Sequence, residues 1–99
     1  MVEKTEVLKK LLNIPKGKVT TYKELARACK THPRAIARIL SSNKEPDRFP
    51  CFKVIQSDGE VGGYSHRLRI KEKIRRLKKE GIIIEGSRID IKKYLYRLP

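Results

Sequence analysis

The feature that most limits what this chain can become is a pair of short helical patterns separated by only a few residues. Thr21 followed three residues later by Glu24 is a capping-box signature, so a helix is expected from about Tyr22 to Cys29. Its expected buried positions are Leu25, Ala28 and Cys29. Lys30-Thr31-His32 leaves room for one turn, and Pro33 suits the first turn of the next helix, where its missing N–H would be an orphan anyway. That second helix is expected to reach about Ser42. Ile36, Ile39 and Leu40 form its buried stripe, and Arg34, Ala37, Arg38 and Ser41 share the opposite face. Two short helices around a tight turn, the second carrying paired arginines beside the small residues Ala35 and Ala37, form a helix-turn-helix pattern. Small side chains there let the backbone approach the sugar-phosphate walls of a duplex. An ordinary helical hairpin with a solvated arginine face satisfies the same local pattern.

Charge bears on that choice. The 99 residues hold 25 Lys plus Arg against 11 Asp plus Glu, a net +14. Self-repulsion of that size works against a compact state, and a polyanionic partner gives a reason to tolerate it, because phosphate contacts release counterions. A basic surface without a partner is the bland reading. An anionic membrane surface fits less well, since the basic segments lack interfacial aromatics and a broad apolar face. Val2-Glu3-Lys4-Thr5-Glu6 is too charged for a signal peptide, and no apolar run approaches the roughly 18 residues of a membrane span. A cytoplasmic, nucleoid or otherwise DNA-associated location is expected.

The remaining chain fits one domain over residues 1–99, with a modest core built from 38% hydrophobic residues. Val7, Leu8, Leu11 and Leu12 lie at helical spacing before Asn13-Ile14-Pro15-Lys16-Gly17 stops the helix. Lys18-Val19-Thr20 is extended, residues 43–48 form a polar loop, and Phe49 to Ile55 is an apolar run interrupted by Lys53. Ser57-Asp58-Gly59 supplies a turn, and Gly62-Gly63 marks either a special backbone angle, a close ligand approach or slack loop. A helix is expected from Leu68 to Glu80, closed by Gly81, with Ile70, Ile74 and Leu77 inward. Residues 82–91 read as a two-stranded hairpin, a small wing. The expected fold is therefore mainly α, a winged helix-turn-helix-like domain with short β elements. Its core is expected to contain Phe49, Ile36, Ile39, Leu40, Ile70, Ile74 and Leu77.

Chemistry-bearing motifs are few. His32 and His66 are far apart and the cysteines form no CxxC pair, so no metal site is expected. No phosphate-binding or dinucleotide-binding glycine pattern is present, and no cofactor is expected. Cys29 and Cys51 are too sparse for a disulfide framework and read as free thiols. Cys29, late in an amphipathic helix, reads as a small buried hydrophobe. Cys51 follows Pro50 beside Lys53, where either an inert buried thiol or an activated nucleophile is possible.

Pro50-Cys51-Phe52-Lys53-Val54-Ile55 followed by Gly62-Gly63-Tyr64-Ser65 resembles the active-site region of the O6-alkylguanine-DNA alkyltransferases, the methylated-DNA–protein-cysteine methyltransferases. The family pattern is Pro-Cys-His-Arg-Val, then Gly-Gly or Gly-Asn before Tyr-Ser. The likeness continues upstream in Ile14-Pro15-Lys16-Gly17-Lys18-Val19-Thr20-Thr21-Tyr22 and in Pro33-Arg34-Ala35-Ile36-Ala37. It covers roughly residues 7–81, that family's C-terminal DNA-binding and catalytic domain without its usual N-terminal one. The resemblance implies that Cys51 accepts an alkyl group from a flipped guanine, with Asn43 and Glu80 in the hydrogen-bond network behind it. It implies that Arg34 fills the space of the extruded base while Tyr22 helps rotate the nucleotide. Val54, Tyr64 and Ser65 would form the guanine pocket. The helix starting at Pro33, with Arg38, Ala35 and Ala37, would meet the minor groove of duplex DNA carrying O6-alkylguanine. A monomer is expected.

The departures from the family pattern matter as much. Phe52 stands where the family has the histidine that activates the thiol through water, and phenylalanine relays no proton. Lys53 replaces an arginine, His66-Arg67 replaces a glycine pair, and two extra residues precede Glu80-Gly81. The chain also resembles the alkyltransferase-like proteins in its compact length and its tail beyond Glu80-Gly81. Those proteins recognise and flip alkylated guanine without repairing it, and commonly lack the cysteine. Direct, stoichiometric transfer to Cys51 is the leading expectation. Recognition without efficient transfer is the alternative, and a plain DNA-binding module the third.

Overall fold

The computed structural model describes residues 3–45, 47–61 and 70–98. They form a mainly helical domain with short strands, the arrangement of a winged helix-turn-helix. Helix α1 is Lys4–Lys10, prolonged by a 3-10 turn over Leu11–Asn13. Val7, Leu8 and Leu11 are buried as their spacing requires, but Leu12 is exposed. The tightening to 3-10 geometry at this point turns Leu12 away from the core, which corrects its expected inward placement.

The helix-turn-helix consists of α2, Tyr22–Ala28, and α3, Pro33–Ser41. Thr21 caps α2 by accepting a hydrogen bond from the Glu24 backbone N–H at 3.0 Å. Only half of the expected capping box forms. The Glu24 carboxylate binds Arg27 and accepts the Leu98 backbone N–H at 2.9 Å, so it anchors the far end of the chain. Arg27 completes this clamp by donating to the Leu98 carbonyl at 2.7 Å. Tyr22, Leu25 and Ala26 are the buried apolar residues of α2, whereas Ala28 and Cys29 are half-buried.

The turn between the helices is a Schellman motif. Thr31 N–H donates to the Ala26 carbonyl at 2.9 Å and Lys30 N–H to that of Arg27 at 3.2 Å, with Lys30 at φ 56°. A lysine thus occupies a left-handed position that favours glycine. His32 then caps α3, its Nδ1 accepting the Ala35 N–H at 3.3 Å. Ile36 and Leu40 are fully buried against α2, each side chain contributing about 1.5–3 kcal/mol by leaving water.

Two strand pairs complete the framework. β1, Thr20–Thr21, runs parallel to β2, Val54–Ile55, a pairing between residues too far apart in the chain for any local pattern to announce. β3, Ile84–Glu85, and β4, Arg88–Ile89, form the expected antiparallel hairpin around Gly86-Ser87. That wing is sewn to the 57–59 turn, because Ile89 N–H donates to the Gly59 carbonyl and Val61 N–H to that of Ser87. Gly59 has φ 92°, and a Cβ there would lie 2.4 Å from the Ile89 carbonyl oxygen, so only glycine fits. Helix α5, Ile91–Tyr94, returns the tail to β1, where Val19 bonds Tyr94 and Tyr96 through the backbone.

The core falls into two clusters. One gathers Val7, Leu11, Leu25, Ile36, Leu40, Phe49 and Cys51 under the helix-turn-helix. The other joins Val19, Phe52, Ile55, Leu77, Ile82 and Ile89 under the wing. Of the expected core, Phe49, Ile36, Leu40 and Leu77 are buried, while Ile39 and Ile74 are half-buried against the clusters. Ile70 is 46% exposed, which corrects its expected inward placement: it is the first residue of α4, Ile70–Lys79, and burial on that face begins a turn later with Lys73 and Leu77.

Candidate functional site

Cys51 opens a 3-10 turn, Cys51–Lys53, which ends where the Val54 N–H donates to the Cys51 carbonyl. Consecutive residues in so tight a turn diverge, and here they enter different cores. Cys51 packs with the helix-turn-helix cluster and Phe52 with the wing cluster. The residue standing where the resemblance puts a histidine is therefore an apolar anchor of the second core. Arg76 lies over its ring, 5.9 Å from the centroid.

Asn43 is 1% exposed and works as a strut behind the thiol. Its Nδ2 donates to the Phe49 carbonyl at 2.9 Å and its Oδ1 accepts the Glu45 N–H at 3.0 Å, which fixes the loop leading to Pro50. Burial pushes the Cys51 thiol above its ordinary pKa. A hydrogen bond from the Asn43 side chain and the charges of Lys73 and Arg76 oppose that shift without cancelling it. Burial also raises the Cys29 thiol, so neither cysteine is a ready thiolate.

Tyr22 and Val54, both expected to line a base pocket, are buried next to this turn. Tyr64 and Ser65 lie outside the described residues, as do Gly62, Gly63, His66 and Arg67. Glu80 lines a cleft together with Phe52, beside the Cys51–Lys53 turn. Its Oε1 takes the Lys53 ammonium at 3.0 Å and the Gly17 N–H at 3.0 Å. Lys53 also donates to the Ile14 and Pro15 carbonyls, at 3.2 and 2.8 Å, with only 3% of its surface exposed. The lysine that breaks the apolar run is thus a buried cross-link between the thiol turn, the loop after α1 and the end of α4.

Sequence reasoning missed Lys73. It is 2% exposed, donates to the Val54 carbonyl at 2.6 Å and sits 5.8 Å from the Tyr22 ring centroid. Burial lowers its pKa to about 8, partly offset by the neighbouring Cys51. Its position three residues after Ile70 and four before Leu77 places it on the same helical face, which was the available signal.

On the outer surface Arg34 and Arg38 are exposed on α3 and Ala35 is half-buried between them. Ala37 is 8% exposed and belongs to the core cluster, so its expected place on the arginine face is corrected. The exposed Lys23 of α2 lines, with Tyr22, Pro33, Gln56 and Ser57, a cleft of about 290 Å³ beside the start of α3. Among the described residues no group of His, Cys, Asp and Glu is placed to hold a metal, and no helix is long and apolar enough to cross a membrane.

Known proteins share this arrangement. The family described as "6-O-methylguanine DNA methyltransferase, DNA binding domain" matches residues 3–82. A bifunctional methyltransferase/endonuclease of Picrophilus torridus is 51% identical over 85 residues, covering 84% of this chain, which spans 28% of that relative's length. O6-methylguanine-DNA methyltransferase from Pyrococcus kodakaraensis has a similar fold, with a TM-score of 0.70 and 36% identity over 80% of this chain and 46% of that one. S. pombe Atl1, solved with damaged DNA containing O6-carboxymethylguanine, superposes with a TM-score of 0.85 at 24% identity, covering 95% of this chain and 94% of that one. The chain belongs to the 6-O-methylguanine DNA methyltransferase family, through its DNA-binding domain.

Proposed function

We propose that this chain recognises O6-alkylguanine in duplex DNA, presenting α3 to the minor groove and receiving the extruded base over Cys51, Tyr22 and Val54. The observation that carries this reading is the split at the Cys51–Lys53 turn. Phe52, which relays no proton, is packed in the wing core, and Oε1 of Glu80 is engaged by Lys53 and Gly17, so the histidine relay of the resemblance does not form. The exposed Arg34 and Arg38 remain for the duplex. The fold likeness to Atl1, which runs nearly end to end in both chains, is in keeping with a recognition role.

A second reading, stoichiometric alkyl transfer to Cys51, is favoured by one specific observation: the thiol is retained in a turn that also contacts a buried lysine. Titrating a duplex containing one O6-methylguanine, and its unmodified twin, separates these readings when combined with intact-protein mass measurement. Preferential binding of the lesion without rapid gain of a methyl group is expected. Prompt, quantitative methylation of Cys51 would install the second reading instead, and equal affinity for both duplexes would leave only a basic DNA-binding module.

Arg34→Ala is expected to reduce the preference for the lesion more than the general affinity, because holding a base out of the stack costs a few kcal/mol. Both affinities should fall steeply with salt, by about 0.9 log units per log salt for each neutralised phosphate. Equal losses on damaged and undamaged duplex would assign Arg34 to phosphate contact alone.

A further inference from the structure

We propose that the C-terminal tail takes part in binding the duplex: Arg97, together with Lys23 of α2, holds backbone phosphates in a groove that continues from the start of α3. The inference deepens the function proposed above and rests on one part of it, that duplex DNA meets α3. Two clefts carry it. The first, the cleft of about 290 Å³ at Pro33, has Tyr22, Lys23 and Ser57 in its wall. The second, of about 430 Å³, shares Lys23 and Ser57 and adds Arg27, Leu95 and Arg97. They adjoin across the shared residues, so a strand that leaves α3 through the first enters the second.

The tail is built to present its arginine. On one side Tyr96 N–H donates to the Val19 carbonyl at 2.7 Å, which pins the chain just before β1. On the other side Leu98 is fastened to α2 through both of its backbone groups, its N–H to Glu24 at 2.9 Å and its carbonyl to Arg27 at 2.7 Å. Leu98 is buried in the helix-turn-helix core and Tyr96 packs against that core. Successive side chains of an extended segment point to opposite sides, so Arg97 is turned out to solvent between two inward neighbours. A cation whose flanking backbone is already fixed loses little chain freedom on binding.

Charge selects the occupant. Among the described wall residues of the two clefts Glu24 is the only carboxylate, against Lys23, Arg27 and Arg97. Glu24 is 8% exposed and is spent on Arg27 and the Leu98 N–H, which leaves Lys23 and Arg97 unbalanced. In a chain of net +14 such neighbours repel, and a row of phosphates relieves the repulsion while releasing counterions. The exposed Ser57 hydroxyl, where the clefts meet, offers a neutral donor to a phosphate oxygen. Continuity with α3 favours the duplex over an acidic peptide, which has no reason to begin there.

The salt dependence of binding tests this, measured with the full chain on an O6-methylguanine duplex and its unmodified twin. Lys23→Ala and Arg97→Ala each remove one phosphate contact, and each should lower the slope of log affinity against log salt by about 0.9. Measured from 1 M salt, where the electrostatic contribution vanishes, that change is a loss of roughly eightfold at 0.1 M. The loss should be equal on both duplexes, because phosphates carry no base identity, so the preference for the lesion stays as in the parent. Lys9→Ala is the control: it removes an exposed charge from α1, in a different cleft, and should cost less than about twofold through screened long-range attraction. Ser57→Asp sets a carboxylate where the clefts meet and should weaken both duplexes more than either alanine. All four side chains are exposed, so these variants are expected to fold.

Slopes in Lys23→Ala and Arg97→Ala that change no more than in Lys9→Ala overturn the groove and leave a solvated basic edge. A changed slope in Lys23→Ala alone overturns the role of the tail. Binding of a polyglutamate peptide that Arg97→Ala abolishes, with the duplex slope intact, assigns the groove to an acidic protein segment and overturns the proposal. Changed slopes in a protein that binds both duplexes equally support the groove while overturning lesion recognition. A preference for the lesion with unchanged slopes does the reverse.

Discussion

The helix-turn-helix and the thiol turn are built by opposite means. In residues 21–42 the caps and the turn are made by contacts three to five residues apart: Thr21 on Glu24, the Schellman bonds at Lys30 and Thr31, and His32 on Ala35. The Cys51–Lys53 turn is held from a distance. Lys53 reaches Ile14, Pro15 and Glu80, while Lys73 reaches back from α4 to Val54. Local devices give a robust surface that presents arginines. Long-range buried charges place a thiol between two cores, and they make its position contingent on the whole fold.

That difference should show first in stability. Lys53→Met removes the cation from a pair whose lysine is nearly inaccessible, leaving Glu80 with only the Gly17 N–H among its described partners. Breaking such a pair from one side costs about 3 kcal/mol or more, because the remaining charge stays half-buried. Urea denaturation should show that loss. A loss below about 1 kcal/mol would mean that the cross-link is no stronger than a surface ion pair. The double variant Lys53→Met with Glu80→Gln should recover part of the loss, since no isolated charge then remains.

By comparison, Thr21→Ala removes one helix cap and should cost about 1 kcal/mol in the same experiment. Its effect is expected to stay within the helix-turn-helix. Hydrogen exchange should speed at the first-turn amides of α2, while the amides of the 51–55 segment keep their protection. A loss of protection at Val54 as large as that at Glu24 would erase the contrast between the two regions, since β1 and β2 join them through the Thr21–Ile55 register.

The same contrast explains what could be read in advance. The caps, the proline at the start of α3, the Gly86-Ser87 hairpin and the periodicity of Ile36 and Leu40 are local signals, and each produced the expected element. The wing's attachment at Gly59, the β1–β2 pairing and the Glu24–Leu98 clamp depend on residues dozens of positions apart, which no spacing rule connects. At the site, the Pro50-Cys51 motif and Asn43 were legible through resemblance. The burial of Lys73 was not, because Ile70, Ile74 and Leu77 make an apolar stripe, of which Leu77 and Ile74 do turn inward, and nothing in it points to the lysine between them. Buried lysines are invisible to hydrophobic patterning, and here they organise the thiol turn.

The smallest expected effect isolates the turn between the helices. Lys30 sits at φ 56°, where a Cβ carries a steric penalty of roughly 1 kcal/mol that glycine escapes. Glycine also widens the unfolded ensemble, which offsets about half of that relief. Lys30→Gly should therefore stabilise the fold by about 0.5 kcal/mol, without changing the denaturant dependence of unfolding. The substitution removes a positive charge as well, and from a chain of net +14 that alone could relieve repulsion. Lys30→Ala removes the same charge but keeps the Cβ, so it should gain less than Lys30→Gly by the full conformational difference. Equal gains in the two variants would trace the effect to charge and show that the lysine is accommodated in the Schellman turn without strain.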